Sequence, residues 1–109
     1  MKQKLDTAKH LLQQHDLPLD ANSLCKGLAL SGAMKEVEYL STSGSGEVKT
    51  YWQFTGEGEA FGENKKNRFH EFKTEPRFFE RGFLNTYLVA CKAITEHALR
   101  MCERSQDLS

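Results

Sequence analysis

MKEVEYLSTSGSGEVKTYWQFTGEGEAFGEN, residues 34–64, reads as a strand, a Gly/Ser tip, a second strand and one short helical turn. Glu36-Val37-Glu38-Tyr39-Leu40 is the first strand-forming run. In the second, Val48, Thr50, Trp52 and Phe54 alternate with Lys49, Tyr51 and Gln53. Side chains on a strand alternate between faces, so Val48, Trp52 and Phe54 should share the core face. Thr42-Ser43-Gly44-Ser45-Gly46 is polar and flexible, which predicts an exposed, mobile hairpin tip. Thr55 is placed to cap a short turn through Phe61 that Gly62 closes, with Gly56 and Gly58 weakening it.

Upstream, Leu5, Ala8, Leu11, Leu12 and His15 recur at helical spacing, predicting an amphipathic helix over 4–15. Asp16-Leu17-Pro18 ends it, because the residue before a proline is pushed out of the α region. Asp20 is a good N-cap for a second helix, and Leu19 with Leu24 fits a hydrophobic staple. That helix turns Leu24, Cys25 and Leu28 inward and stops near Gly32. Downstream, residues 63–74 lack clear periodicity and read as a connecting loop. Glu75-Pro76 then opens a long helix to about Arg104, proline being tolerated in a first turn, with a frayed tail over 105–109. The layout is α+β: two N-terminal helices, a β-hairpin with a flexible tip, a short helical turn and a long C-terminal helix. This is the order of a winged-helix-like domain, a fold that mostly binds nucleic acid or protein.

At 109 residues the chain is expected to form a single domain over 1–109. Lysine plus arginine equal aspartate plus glutamate at 15 each. An indiscriminate nucleic-acid binder carries a basic excess, so binding here would need a local patch. MKQKLDTAKH at the start has no apolar core of a signal peptide, and no apolar run approaches the ~18 residues of a membrane span. Cys25, Cys91 and Cys102 are odd in number and lack metal-ligand spacing; they read as reduced thiols buried on helices of a cytoplasmic protein. No catalytic motif, metal site or cofactor loop stands out, so no catalytic residue, metal or cofactor is expected.

Candidate sites are therefore binding surfaces. Lys65, Lys66, Arg68 and Lys73, interleaved with Phe69, His70 and Phe72, could neutralise phosphate and stack on bases. The same phenylalanines could instead plug the core. Asn22, Ser23 and Lys26 sit near the start of the second helix, where a recognition helix meets base edges. Lys49 flanks the hairpin tip. On the last helix, Phe83, Tyr87, Ala90, Ile94 and Met101 form one apolar stripe, and Leu84, Leu88, Cys91, Ala98 and Cys102 a second beside it. A face that wide predicts a homodimer pairing antiparallel through Leu84, Leu88, Cys91, Ile94, Ala98 and Met101.

Three segments carry a family resemblance. Leu19-Asp20-Ala21-Asn22-Ser23-Leu24 is the short-helix segment. Phe54-Thr55-Gly56-Glu57-Gly58-Glu59-Ala60-Phe61-Gly62-Glu63-Asn64 holds the order threonine, glycine, aromatic, glycine, asparagine. Thr74-Glu75-Pro76-Arg77-Phe78-Phe79, followed by Phe83, leads into the closing helix. Together, over residues 5 to 88, they resemble the small winged-helix-like domain of bacteriophage and mobile-element regulatory proteins of antirepressor type. The resemblance implies a DNA-binding, transcription-regulating protein acting on double-stranded DNA, or a module using the same scaffold to bind a host or phage protein. Such proteins usually carry a larger upstream domain, which this chain is not expected to have, and the closing helix here is expected to be longer.

Overall fold

The computed structural model describes residues 3–41, 46–67 and 70–107. Its elements in chain order are β1 (Leu5–Asp6), α1 (Ala8–Gln14), α2 (Ala21–Leu30), β2 (Met34–Leu40), β3 (Val48–Phe54), a 3-10 turn (Gly56–Ala60), β4 (Gly62–Asn67), β5 (His70–Phe79) and α3 (Phe83–Asp107). The architecture is α+β, with two small antiparallel sheets: β2 with β3, and a three-stranded sheet in the order β1-β5-β4.

The two N-terminal helices form for reasons legible in the chain. Thr7 precedes α1, and its hydroxyl accepts the His10 backbone N–H at 3.2 Å. Asp20 caps α2 through the Ser23 backbone N–H at 2.7 Å. Both helices end alike. Leu17 N–H donates to Leu12 C=O and Asp16 N–H to Gln13 C=O, while Ala33 N–H donates to Leu28 C=O and Gly32 N–H to Ala29 C=O. Each pair satisfies carbonyls the helix end leaves open, and each needs a left-handed residue, Asp16 (φ 52°) and Gly32 (φ 90°).

The first helix is shorter than its periodicity suggests. Leu5 is not on its face; it pairs with Phe79 as part of β1, completing the edge of β5. The β2–β3 hairpin runs in unbroken register from Met34↔Phe54 to Leu40↔Val48. Phe54 and Met34 are buried at its base, but Val48 is 56% exposed rather than in the core. Alternation gives the face of a strand, not its distance from the core, and Val48 lies at the far end of a hairpin that stands away from it. Residues 42–45 of the expected tip lie outside the described residues.

The largest departure is at 63–74, which forms a second hairpin rather than a loop. β4 and β5 pair from Gly62↔Phe78 to Asn67↔His70, with an irregularity at Lys66/Asn67. Gly62 accordingly opens β4 instead of closing the 3-10 turn, and Pro76 lies in a strand instead of the first helical turn. Proline is tolerated there because β1 covers β5 only at Phe78 and Phe79, leaving one side of Pro76 without a strand partner. α3 starts seven residues later, after Gly82, and extends to Asp107.

Aromatic rings hold the pieces together. Phe78 of β5 meets Phe54 of β3 at 4.9 Å and Phe83 of α3 at 5.8 Å, both edge to face. His15, just after α1, stacks on Phe83 at 6.0 Å. Leu11, Leu24, Leu28 and Ala90 close the same core. α2 lies against α3 where Gly27 faces Ala90 and Ile94. The hairpin and the distal half of α3 project from this core. The radius of gyration is accordingly 15.9 Å, against about 13 Å for a compact chain of this length. Cys25 is buried as expected of a small apolar side chain; Cys91 is half-buried and Cys102 exposed.

Candidate nucleic-acid interface

The threonine–glycine–aromatic–glycine–asparagine stretch is a structural clamp. Thr55 donates its hydroxyl to Gly32 C=O at 2.6 Å, tying the end of β3 to the end of α2. A side chain at Gly58 would stand 2.0 Å from Ala33 O, and one at Gly62 would stand 2.1 Å from Arg77 O. Asn64 accepts the Phe54 N–H at 2.9 Å and donates to Phe54 C=O at 3.2 Å. Its amide thus stands in for a strand residue and carries the ladder from β3 towards β4. These residues set where α2 and the β2–β3 hairpin sit relative to each other.

Between those two elements runs a groove of about 440 Å³. Thr7, Ala8 and Lys9 at the start of α1, and Ala21, Asn22 and Cys25 of α2, form one wall. Thr50, Tyr51 and Trp52 of β3 and residues 73–76 of β5 form the other. The Trp52 indole N–H donates to Asn22 Oδ1 at 3.0 Å, bracing helix against hairpin. The Lys73 ammonium lies 5.9 Å from the Tyr39 ring centre, and Tyr39 meets Tyr51 edge to face at 5.7 Å. Lys49 is directly opposite Tyr39 in the hairpin register. Lys49 and Lys73 therefore flank one pair of tyrosines. Lys26 is exposed one turn beyond Asn22 on α2.

Other sequence candidates are placed differently. On one face of the β4–β5 hairpin, Glu63 is opposite Arg77 and Lys65 opposite Glu75. Lys65 pairs with Glu63 at 3.1 Å and Arg77 with Glu75 at 3.0 Å. The four charges cancel, so Lys65 adds little to any positive potential. Lys66 is exposed on β4, and Arg68 lies outside the described residues. Ser23 is half-buried, and its backbone N–H is taken by Asp20. That hydrogen bond holds the Asp20 carboxyl below its ordinary value, so Asp20 keeps a negative charge at the start of α2, where a phosphate would otherwise bind best. Sequence reading missed Tyr51, Trp52 and Lys9 as groove residues. The aromatic richness of 39–52 was the available signal.

Two groups of reactive type have structural surroundings. Burial pushes the Cys25 thiol up to about 12, away from a reactive thiolate. His10 is hydrogen-bonded through Nδ1 to Asp6, whose carboxyl is lowered chiefly by that bond. Among the described residues no group of three or more His, Cys, Asp or Glu is placed to hold a metal ion. No helix among them is long and apolar enough to cross a membrane. The chain matches no protein-family model, no curated protein and no solved structure.

Proposed function

We propose that this protein is a non-catalytic, winged-helix-like nucleic-acid-binding protein that regulates transcription, of the bacteriophage or mobile-element type its sequence resembles. It uses α2 as the recognition element and the β2–β3 hairpin as the wing. The observation that carries this reading is the brace between the two: Trp52 holds Asn22, so helix and hairpin act as one surface with the groove between them. Lys26 and Lys73 supply phosphate contacts beside it, and Lys49, with the rings of Tyr39 and Tyr51, adds contacts along the hairpin. Such a protein works in the cytoplasm, where the thiols of Cys25, Cys91 and Cys102 stay reduced.

A protein partner is the second reading. It is favoured by the zero net charge, by Asp20 at the helix start, and by Leu40 and Val48, which pair at the far end of the hairpin and are 68% and 56% exposed.

One titration separates them. Trp52 is the only tryptophan and reports on the groove directly. A mixed-sequence duplex added at 50 mM salt should change its fluorescence, and affinity should fall steeply by 200 mM as counterion release is suppressed. Replacing Lys26, Lys49 and Lys73 by alanine should lower the slope of log affinity against log salt by about 0.9 per lost phosphate contact. Lys65→Ala should leave it nearly unchanged. Absence of binding at low salt, or a slope the triple variant does not alter, would reject the nucleic-acid reading and leave the protein partner.

A further inference from the structure

The outer face of α3 carries an inference independent of the groove. Among the described residues, Phe83, Thr86, Ala90 and Ala93 are the buried positions of this helix, on the side that faces α2 and Phe78. On the other side, Leu84 and Leu88 are 51% and 63% exposed. They begin a row, Leu84, Leu88, Cys91, Thr95, Ala98 and Cys102, whose steps alternate between four and three residues. That is the spacing of a two-helix seam, about 27 Å long at 1.5 Å per residue. No position in the row is charged. Leu99, 58% exposed, borders it. Ile94 does not belong to it, being half-buried against Gly27 of α2.

The row is graded. Its large side chains, Leu84 and Leu88, are at one end, and its small ones, Ala98 and Cys102, at the other. Two copies side by side in parallel would stack leucine on leucine at one end and leave a gap at the other. Two antiparallel copies instead set large against small in the outer layers, Leu84 on Cys102 and Leu88 on Ala98, and bring the similar-sized Cys91 and Thr95 together at the centre, which is how facing positions fill evenly. The arrangement is self-complementary about a twofold axis that crosses the seam between Cys91 and Thr95 and so closes as a dimer.

We propose that this face is the seam of an antiparallel homodimer in which Leu84 faces the partner's Cys102, Leu88 the partner's Ala98, and Cys91 the partner's Thr95. A second copy is the occupant because the grading complements its own reverse.

Cross-linking reads the register. Leu84→Cys, oxidised with copper phenanthroline, should form a disulfide-linked dimer through the native Cys102, and Cys102→Ser in the same chain should abolish it. Wild type, whose Cys91 and Cys102 do not face their equivalents, should not cross-link. Cross-linking of wild type, or of Leu84→Cys carrying Cys102→Ser, would indicate parallel pairing and overturn the proposal. So would a monomer mass for wild type in sedimentation equilibrium at tens of micromolar. Leu88→Glu, at an exposed position, should give a monomer with unchanged circular dichroism; a dimer from that variant would also overturn the seam.

Discussion

Asn64 shows how one side chain decides the arrangement of two sheets. The Phe54 N–H and C=O point away from β2, and both are met by the Asn64 amide. Asn64→Ala leaves a half-buried N–H and a carbonyl unpaired, a loss of about 2 kcal/mol. The urea midpoint should fall with an unchanged m-value. A midpoint equal to wild type would mean water replaces the amide without cost. Asp20 acts through its charge. Its carboxyl is lowered below 3.8 mainly by the Ser23 backbone hydrogen bond, so its contribution is present above that ordinary value and is lost as pH falls through the lower folded value. Asp20→Asn keeps the cap but removes that proton linkage. Stability of the variant measured from pH 5 to pH 2 should decline less steeply than wild type, and parallel curves would show that the Asp20 charge is not linked to folding. Neither role of these residues needs a ligand, which is why Asn64 reads in the sequence only as the end of a recurrent stretch.

At the scale of elements, legibility followed local signals. α2 was readable to within a residue because its cap, apolar face and terminating glycine all lie within 13 residues, 20–32. β4 and β5 were not. Glu63, Lys65, Glu75 and Arg77 occupy one face and pair with each other, so charge appears at the positions where a strand with a buried face would show apolar residues. Without that alternation, and with Pro76 in the run, the sequence imitates a loop leading into a helix. The first helix looks longer in the sequence for the converse reason: Leu5 has helical spacing from Ala8 and Leu12, but the open edge of β5 takes it into β1. The groove was legible in part. Asn22 and Lys73 stand out by charge and position, whereas Tyr51 and Trp52 become groove residues only once the hairpin packs beside β5. The matched ends of α1 and α2 also differ in one respect. Asp16 takes the left-handed conformation that Gly32 takes without a Cβ. Asp16→Gly should stabilise the protein by roughly 0.5–1 kcal/mol through relief of that conformation, offset in part by glycine's greater freedom when unfolded. A thermal midpoint lower than wild type would mean the unfolded-state term dominates.

The whole molecule is a small aromatic core with two projections, and the projections differ in what holds them. The hairpin is braced at its base by Trp52 on Asn22, Phe54 on Phe78 and the Asn64 bridge. Beyond His97, by contrast, every residue of α3 from Ala98 to Ser105 is exposed. An amphipathic helix of this length gains its stability mainly from what its apolar face covers, and among the described residues this segment has no buried position. Its presence as helix is consistent with a role between copies rather than within one. A chain ending at His97 should therefore fold around the same core, with the Trp52 emission of the full chain and a stability at low concentration within about 0.5 kcal/mol of it. What should change is the dependence on concentration: the full chain gains midpoint as it is concentrated, because association stabilises the folded state by mass action, and the shortened chain does not. If the shortened chain instead loses its cooperative transition, the distal half of α3 holds the core together, and its exposure here would understate its contribution to folding.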